Sequence, residues 1–290
     1  MSGRYRAAVL GHPIDHSLSP VLHRAAYAEL GLTGWAYTAH DVTEASFAAF
    51  WGTLDQTWAG LSLTMPLKRV VRAHLATVSP LAEAVGAVNT VTFGPEGARG
   101  DNTDVHGIVA ALAEVGVIGV QPGAVPVVLG GGATAASALG ALAQLGAVRV
   151  GLLVRAPERS TPVADVAERL GLELIIRRFD DEFATPGGAL LGAEVPLVVS
   201  TLPAAAAAAQ AEGVRAVLTR TAPPLLDVVY DPWPSPLAAL WQAAGVPVAN
   251  GFSMLLHQAS AQVRLMTGQA GPLAAMRRAG EGELARRAGA

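Results

Sequence analysis

The chain has 290 residues, of which 51% are hydrophobic and 15% charged, and its 20 basic and 23 acidic residues give a formal net charge of −3. This length predicts two domains, and the composition excludes a disordered chain. The weak acidity argues against a nucleic-acid or anionic-membrane partner, and the absence of cysteine excludes disulfides, thiolate catalysis and cysteine-ligated zinc.

Apolar runs typical of strands alternate with helical patterns along the first part of the chain, which predicts βαβ units and a largely parallel sheet. Ser19 is the expected N-cap of the first helix, with Pro20 in the first helical position. The predicted strands are Arg6–Leu10, Trp35–Val42, Ala59–Leu63 and Ala87–Phe93. The predicted helices are Pro20–Leu30, Glu44–Leu54, Pro66–Leu75 and Thr103–Val115.

A second series of elements follows a turn-rich segment at Gly119–Pro126. The tail from Met276 is small and charged, and we expect it to be frayed. The predicted strands are Val127–Leu129, Val148–Val154, Leu174–Phe179, Leu197–Ser200 and Leu225–Val229, and the predicted helices are Thr134–Leu145 and Phe252–Met266.

No segment of the sequence predicts a membrane span or a signal peptide. The most apolar stretch, Leu190 to Ala209, is interrupted by Pro196 and Pro203, and the apolar run near the N-terminus is short. We therefore expect a soluble cytoplasmic protein.

A glycine-rich pattern, Gly130-x-Gly132-x-x-Ala135, follows a predicted strand and opens a predicted helix, the setting in which it binds a dinucleotide. The glycines allow a tight turn and a close approach of the backbone to a pyrophosphate, and the helix N-terminus supplies free N–H groups. A glycine-rich turn in a glycine-rich chain is the alternative that this motif alone leaves open.

The end of the next predicted strand carries arginines where an NAD site has a carboxylate for the ribose 2′-hydroxyl. Arg155 follows the strand and Arg159 lies four residues later, which suits a 2′-phosphate and hence NADP. Two solvated loop arginines are the alternative, and Glu158, between them, would weaken a phosphate site.

Lysine is nearly absent from this chain, since Lys68 is its only lysine and the other 19 basic residues are arginine. Unlike a guanidinium, a lysine ammonium can lose its proton in proteins, so a position that retains lysine in this composition indicates proton chemistry. Chance retention of one residue is the alternative.

Further polar motifs lie near Lys68 in the predicted fold. Ser17 and Ser19 face the same way in an extended segment and could both bind one oxyanion, although this segment alone favours a turn role for Ser17 and a cap role for Ser19. Asn89 and Asn102, two of the three asparagines, lie beside carboxylates and hydroxyls suited to a polyhydroxylated ligand. Asx-turns and helix caps are the alternative, which explains Asn102 better than Asn89.

These motifs occur in one order along nearly the whole chain: Ser17-x-Ser19-Pro20, Thr64-x-Pro66-x-Lys68, Ala87–Thr90, Gly100–Asp104, the Gly130–Gly132 loop, Asp227–Pro232 and Gly251–Ala259. Together they resemble the shikimate dehydrogenase family. The resemblance implies reversible NADPH-dependent reduction of 3-dehydroshikimate to shikimate in the chorismate pathway of aromatic amino-acid biosynthesis. It implies an α/β fold with an N-terminal substrate domain (1–106), a Rossmann-like NADP-binding domain (107–250) and a C-terminal helical segment (251–290) that returns to the first domain.

The resemblance also implies roles for individual residues. Lys68 and Asp104 would form the catalytic pair. The implied substrate-binding residues are Ser17, Ser19, Ser62, Thr64, Asn89, Tyr230 and Gln258. The implied cofactor-binding residues are Gly130, Gly131, Gly132, Ala133, Arg155, Arg159, Thr201, Val228, Gly251 and Met254. The expected ligands are NADP and the small-molecule substrate, with no metal, nucleic acid or membrane, in a monomer or homodimer.

Several positions depart from the family pattern. Ser62 stands where asparagine is common, so one substrate hydrogen bond would be lost, shortened or mediated by water. Ala133 and Ala136 replace a common glycine and a common basic residue, and Val154 and Ala156 flank Arg155 where asparagine and threonine are usual; the alanine run from Ala204 also departs from the pattern.

Two other functions remain open at the level of sequence. One is a relative that also uses quinate or prefers NAD. The other is a non-catalytic sensor of shikimate or nucleotide on the same scaffold.

Overall fold

The computed structural model describes residues 5–185, 188–191, 195–217 and 223–289. The first four residues of the N-terminal segment, residues 192–194 of the apolar stretch and Ala290 at the end of the predicted C-terminal segment lie outside these ranges. None of the helices within them combines the length and the apolar composition needed to cross a bilayer. The chain divides into two compact units, unit 1 (Met1–Asp104 and Leu255–Ala290) and unit 2 (Val105–Met254).

Strands and helices alternate along the described chain. The strands are β1 (Tyr5–Gly11), β2 (Trp35–Asp41), β3 (Trp58–Leu63), β4 (Thr77–Val78), β5 (Thr90–Gly94), β6 (Gly97–Asp101), β7 (Val127–Leu129), β8 (Arg149–Val154), β9 (Glu173–Arg178), β10 (Val198–Ser200), β11 (Leu225–Asp227) and β12 (Val248–Asn250). The helices are α1 (Ser19–Glu29), α2 (Glu44–Trp51), α3 (Leu67–Val70), α4 (Pro80–Val85), α5 (Asp104–Glu114), α6 (Ala133–Gln144), α7 (Thr161–Arg169), α8 (Phe179–Ala184), α9 (Ala204–Val217), α10 (Pro236–Ala243), α11 (Gly251–Thr267) and α12 (Leu273–Ala288), with 3-10 turns at Val71–His74 and Pro157–Arg159.

Unit 1 contains a mixed six-stranded sheet, in the order β2-β1-β3-β5-β6-β4 within the described residues. Strand β1 lies between β2 and β3 and pairs in parallel with both, which explains why five successive residues from Ala7 to Gly11 are buried. Strand β5 pairs antiparallel with both β3 and β6. The expectation of a largely parallel sheet therefore holds for the pairings β1–β2, β1–β3 and β4–β6, and β5 is the strand that departs from it.

Strand β6 was not expected because its sequence, GARGD, lacks the alternation of large apolar residues that marks a strand. Its buried positions are Ala98 and Gly100, which are small because the space is already filled. A Cβ on Gly100 would lie 2.5 Å from Leu75 Cδ1. Tertiary packing, rather than β-propensity, makes this segment a strand.

Two local expectations at the first helix and at Asn89 need correction. Ser19 is the first residue of α1 and Leu18 is the N-cap, so the Ser19 hydroxyl does not cap the helix. Asn89 lies directly before β5 rather than inside it, although its backbone N–H donates to Asp101 O and its carbonyl accepts from Leu63 N. The predicted helix Pro66–Leu75 is α3 followed by a 3-10 turn.

The C-terminal tail is a helix, and the expectation that it frays is wrong. Helix α12 runs to Ala288 and packs against α1, with Met276 and Gly280 buried. Glu283 pairs with Arg286 and Arg287, and Arg287 also donates to His16 O at 2.8 Å. These contacts compensate for a weakly amphipathic sequence.

Unit 2 contains a six-stranded parallel sheet, in the order β12-β11-β10-β7-β8-β9 within the described residues. This is the doubly wound order of dinucleotide-binding folds, in which ligands bind at the carboxyl ends of the strands. The predicted strands of this half agree with the structure to within two residues. The alanine run from Ala204 forms α9, as expected from the high helix propensity of alanine.

Candidate active site

The only lysine and the first residue of α5 form a buried ion pair. Lys68 Nζ donates to Asp104 Oδ2 at 2.6 Å, and the two side chains are 12% and 7% exposed. Buried Leu67 anchors α3, and the Lys68 carbonyl accepts from Val88 N at 2.8 Å. A buried ion pair is a weak source of stability because desolvation offsets its attraction. The pair is therefore better explained by chemistry than by folding.

Asn89 connects this pair to α11. Its Nδ2 atom donates to Asp104 Oδ1 at 2.7 Å, to Thr103 Oγ1 at 3.0 Å and to Gln258 Oε1 at 3.3 Å. Its Oδ1 atom accepts from Thr103 N at 2.7 Å. The structure thus brings together four residues that were singled out in separate motifs: Lys68, Asn89, Asp104 and Gln258.

The serine motif lies in a turn before α1. Ser17 N donates to Ile14 O at 2.9 Å, and Ser17 Oγ accepts from Ser19 N at 3.3 Å. Ser19 is 5% exposed, and its hydroxyl contacts the phenol of Tyr37. Burial raises the pKa of Tyr37, so this phenol remains a hydrogen-bond donor.

Ser62, which replaces the common asparagine, is bonded within the protein. It accepts from Tyr37 OH at 2.6 Å and donates to Gln262 Oε1 at 2.8 Å. The single hydroxyl proton of Ser62 is thus committed to Gln262, and only an acceptor lone pair remains for a ligand. Thr64 follows β3, with its N–H bonded to Leu10 O at 2.9 Å, and is half-buried.

Gln262 is a residue that the sequence analysis did not single out. It is 1% exposed and lies one helical turn after Gln258 on α11, so both side chains share one face of the helix. Its Nε2 atom donates to Asn89 O at 3.2 Å and to Thr90 Oγ1 at 3.0 Å. The i, i+4 spacing of the two glutamines was the available signal.

In unit 2 the glycine-rich loop has the geometry expected of a phosphate-binding turn. Gly130 has a φ of 100°, which favours glycine, and a Cβ there would lie 2.8 Å from Thr201 Oγ1. Gly132 is the N-cap of α6 and Ala133 its first residue, and no described side chain caps this N-terminus. The first-turn N–H groups are thus available to an anion. Gly131, in the same turn, lies beside Val154 at the end of β8, and a Cβ there would be 3.2 Å from Val154 Cγ1.

Three arginines and one glutamate lie at the ends of β8 and β9 or in the 3-10 turn that follows β8. Arg155 follows β8, and Arg159 ends the next 3-10 turn. Arg178, which the sequence analysis did not name, pairs with Val154 in the sheet register, donates to Arg155 O at 2.8 Å and forms an ion pair with Glu158 at 3.2 Å. The glutamate expected to weaken a phosphate site is therefore paired with an arginine.

The remaining expected cofactor residues lie near the ends of β10, β11 and β12. Thr201 Oγ1 donates to Leu129 O at 2.9 Å, and Val228 N donates to Ser200 O at 3.1 Å. A Cβ on Gly251 would overlap the carbonyl of Val228, so only glycine fits. Tyr230 is half-buried after β11 and Met254 is buried in α11.

The buried carboxylate of Asp227 holds this region together. It accepts from Val229 N at 3.2 Å and from the hydroxyl of Ser235, the N-cap of α10. Burial raises the pKa of Asp227. These two bonds connect the end of β11 to the segment that leads into α10.

The described residues contain no group of three or more His, Cys, Asp or Glu side chains that could hold a metal ion. His12 and His16 are four residues apart in a loop, where His12 pairs with Asp41 at 2.7 Å.

Known proteins resemble this chain over nearly its whole length. Residues 9–91 match the shikimate dehydrogenase substrate-binding domain, and residues 251–279 match the shikimate 5′-dehydrogenase C-terminal domain. A shikimate dehydrogenase (NADP(+)) of Methylobacterium radiotolerans is 36% identical over 88% of this chain and 88% of its own.

Solved structures agree with these sequence matches. The crystal structure of Mycobacterium tuberculosis shikimate dehydrogenase has a TM-score of 0.84 and 37% identity, covering 96% of this chain and 99% of its own. A Thermus thermophilus shikimate 5-dehydrogenase, solved in complex with NADP(H) and shikimate, has a TM-score of 0.77 and 29% identity, covering 97% of this chain and 100% of its own. The chain belongs to the shikimate dehydrogenase family.

Proposed function

We propose that this chain is an NADP-dependent oxidoreductase that reversibly reduces 3-dehydroshikimate to shikimate in the biosynthesis of aromatic amino acids. The observation that carries the proposal is the buried Lys68–Asp104 pair at 2.6 Å, held in one hydrogen-bond network with Asn89 and Gln258. Unit 1 contains these residues and would bind the substrate, and unit 2 would bind NADP. The relatives named for this activity support the same assignment.

The residues of unit 2 fit NADP. The Gly130–Gly132 turn and the α6 N-terminus offer backbone N–H groups to the pyrophosphate. Arg155 and Arg159 suit the 2′-phosphate, and the carboxylate of Glu158 is paired with Arg178. When bound, NADPH supplies the hydride that reduces the carbonyl carbon of the substrate.

Lys68 moves the proton in this proposal. In the reduction, the Nζ ammonium protonates the substrate oxygen as the carbonyl becomes a hydroxyl, and the neutral amine regains a proton from solvent. In the reverse direction the neutral amine accepts the hydroxyl proton. Asp104 holds Nζ in place by its 2.6 Å bond and, as an acceptor, can also bind the reacting hydroxyl.

Other residues of unit 1 would bind and orient the substrate. Ser17 and Ser19, in the turn before α1, would bind the carboxylate. Thr64, Asn89 and Gln258 would bind ring hydroxyls. Ser62 would contribute through its remaining lone pair, since its proton is bonded to Gln262.

The deciding experiment is spectrophotometric oxidation of shikimate by the purified protein with NADP and with NAD, repeated with quinate. We expect turnover with shikimate and NADP, and a lower kcat/KM with NAD or quinate. A higher kcat/KM for quinate or for NAD would identify a quinate or NAD-preferring relative. Folded protein that binds shikimate in calorimetry but shows no turnover with either cofactor would be a sensor, and the proposal would be wrong.

A further inference from the structure

A buried chain of hydrogen bonds runs from Tyr37 to the Lys68–Asp104 pair, and three of its members, Tyr37, Gln262 and Thr90, have no proposed contact with substrate. Its members upstream of Asn89 are at most 3% exposed: Tyr37, Ser62, Gln262 and Thr90. Such a network in a domain core is costly unless every group is satisfied. Which atom donates at each step can be deduced from the backbone groups that these side chains face, since a carbonyl can only accept and an N–H can only donate.

The orientation of Gln262 follows from its neighbours. The backbone carbonyl of Asn89 can only accept, so the atom of Gln262 that faces it at 3.2 Å must be the amide nitrogen. The carbonyl Oε1 then accepts from Ser62 at 2.8 Å and from His23 Nε2 at 3.3 Å. Burial lowers the pKa of His23 to about 3, so this ring is neutral and carries its proton on Nε2.

The orientation of Gln262 in turn determines how the Thr90 hydroxyl bonds to Asn89. Its hydroxyl accepts from Gln262 Nε2 at 3.0 Å and donates its one proton to Asn89 Oδ1 at 2.8 Å. Asn89 Oδ1 also accepts from Thr103 N, which confirms the orientation. The Asn89 NH₂ group must therefore face Asp104 Oδ1.

We propose that Thr90 and Gln262 are positioning residues of the proposed reaction: with the Thr103 N–H, they hold the Asn89 amide in the orientation that donates to Asp104 Oδ1. This bond fixes the carboxylate so that its other oxygen, Oδ2, meets Lys68 Nζ at 2.6 Å. If the Asn89 amide were flipped, its Oδ1 atom would face the Asp104 carboxylate. Both groups are acceptors, so they would repel each other and no hydrogen bond could form. The inference rests on the proposed function only for its effect on turnover.

Thr90→Val is the sharpest test because valine has nearly the same shape and removes only the hydroxyl. Thr90→Ser keeps the hydroxyl, and Thr92→Val makes the same change two residues along β5, outside the chain of hydrogen bonds. We expect Thr90→Val to lower kcat about tenfold, as for the loss of one buried hydrogen bond. Thr90→Ser should restore kcat to within about threefold, and Thr92→Val should leave it unchanged.

A double-mutant cycle separates positioning from a general loss of packing. If Thr90 acts through Asn89, Thr90→Val should change kcat less than about twofold in an Asn89→Ala background. The same tenfold loss in both backgrounds, or no loss in the wild-type background, would overturn the proposal. Thermal unfolding of each variant shows that the protein compared is folded.

A second measurement does not depend on turnover. The ¹H–¹⁵N NMR signal of the Asn89 side-chain amide should shift in Thr90→Val and return to its wild-type position in Thr90→Ser. An unchanged signal in Thr90→Val would refute the positioning role. Absence of turnover in the wild-type protein, with the NMR result as expected, would refute only the proposed function.

Discussion

Replacing Lys68 by arginine keeps the positive charge at this position but removes the ability to release and accept a proton. A guanidinium can still pair with Asp104, but it is not deprotonated in proteins and cannot serve as an acid and base. The substitution also introduces the basic residue that the chain uses at all 19 other Lys or Arg positions. We expect Lys68→Arg to fold normally and to lose turnover.

The expected magnitude follows from the two roles of the ammonium. General acid–base catalysis by a positioned side chain contributes about 10²- to 10⁴-fold, so kcat should fall about 10³-fold, or about 4 kcal/mol of transition-state stabilisation. The KM for shikimate should change less than about threefold, because Asn89, Gln258 and the serines remain. Lys68→Ala should lose kcat equally and should also destabilise the fold by about 3 kcal/mol, since it leaves the buried Asp104 carboxylate unpaired.

The assay is steady-state oxidation of shikimate followed by NADPH absorbance, with thermal unfolding of each variant measured in parallel. Arg69→Lys is the matched control, because Arg69 is the exposed neighbour of Lys68 on α3 and its replacement should leave kcat unchanged. Retention of kcat within tenfold in Lys68→Arg would refute the acid–base role. A rise in KM with unchanged kcat would reduce Lys68 to a binding residue.

Three further predictions concern pH, cofactor affinity and packing. Burial lowers the pKa of His23 to about 3 in the folded protein, whereas in the unfolded chain its pKa returns to 6.5. The unfolding free energy is therefore fully retained above pH 6.5 and should fall by up to about 1.4 kcal/mol per pH unit as the pH drops toward 3. In His23→Gln, urea titrations at several pH values should show a smaller fall. An unchanged fall in this variant would contradict the lowered pKa of His23. Glu158→Gln should increase the affinity for 2′,5′-ADP about two- to threefold in calorimetry, because it removes a carboxylate beside the proposed phosphate ligands, and it should leave the affinity for 5′-AMP unchanged. Equal effects on the two affinities would count against the 2′-phosphate site. Gly251→Ala should lower the free energy of unfolding by about 3 kcal/mol in chemical unfolding, because its Cβ overlaps the Val228 carbonyl. Gly282→Ala, whose Cβ lies in open space on α12, should not lower it. Equal stability of the two variants would show that small shifts of the neighbouring atoms relieve the overlap.

The sequence predicted strands β7 to β11 of the parallel sheet of unit 2, because each is a short apolar run with a turn signal beside it, but it missed the edge strand β12, which has only three residues. It also predicted that Lys68, Asn89, Asp104 and Gln258 belong to one site, since the resemblance aligned their motifs in order. The hairpin of β5 and β6 was missed for a physical reason. Its inner positions are Ala98 and Gly100, whose small size reflects neighbours that are distant in sequence.

Residues that act through long-range contacts were also outside the reach of local patterns. Gln262 reads as an ordinary polar residue of an amphipathic helix until β3 and β5 are placed against α11. Arg178 reaches the Arg155 carbonyl and Glu158 only through the register of β8 and β9. The tail from Met276 has little amphipathic pattern of its own, and its helix is stabilised by packing on α1.

The discontinuity of unit 1 has a consequence for synthesis of the protein. Ser62 and Gln262 are separated by 200 residues, Asn89 and Gln258 by 169, and His23 and Gln262 by 239. A chain emerging from the ribosome can complete unit 2 while these buried polar groups still lack their glutamine partners. The network around the proposed catalytic residues is therefore complete only once Gln258 and Gln262 have been released, so a product terminated before Gln258 would lack these contacts even where its nucleotide-binding half is folded.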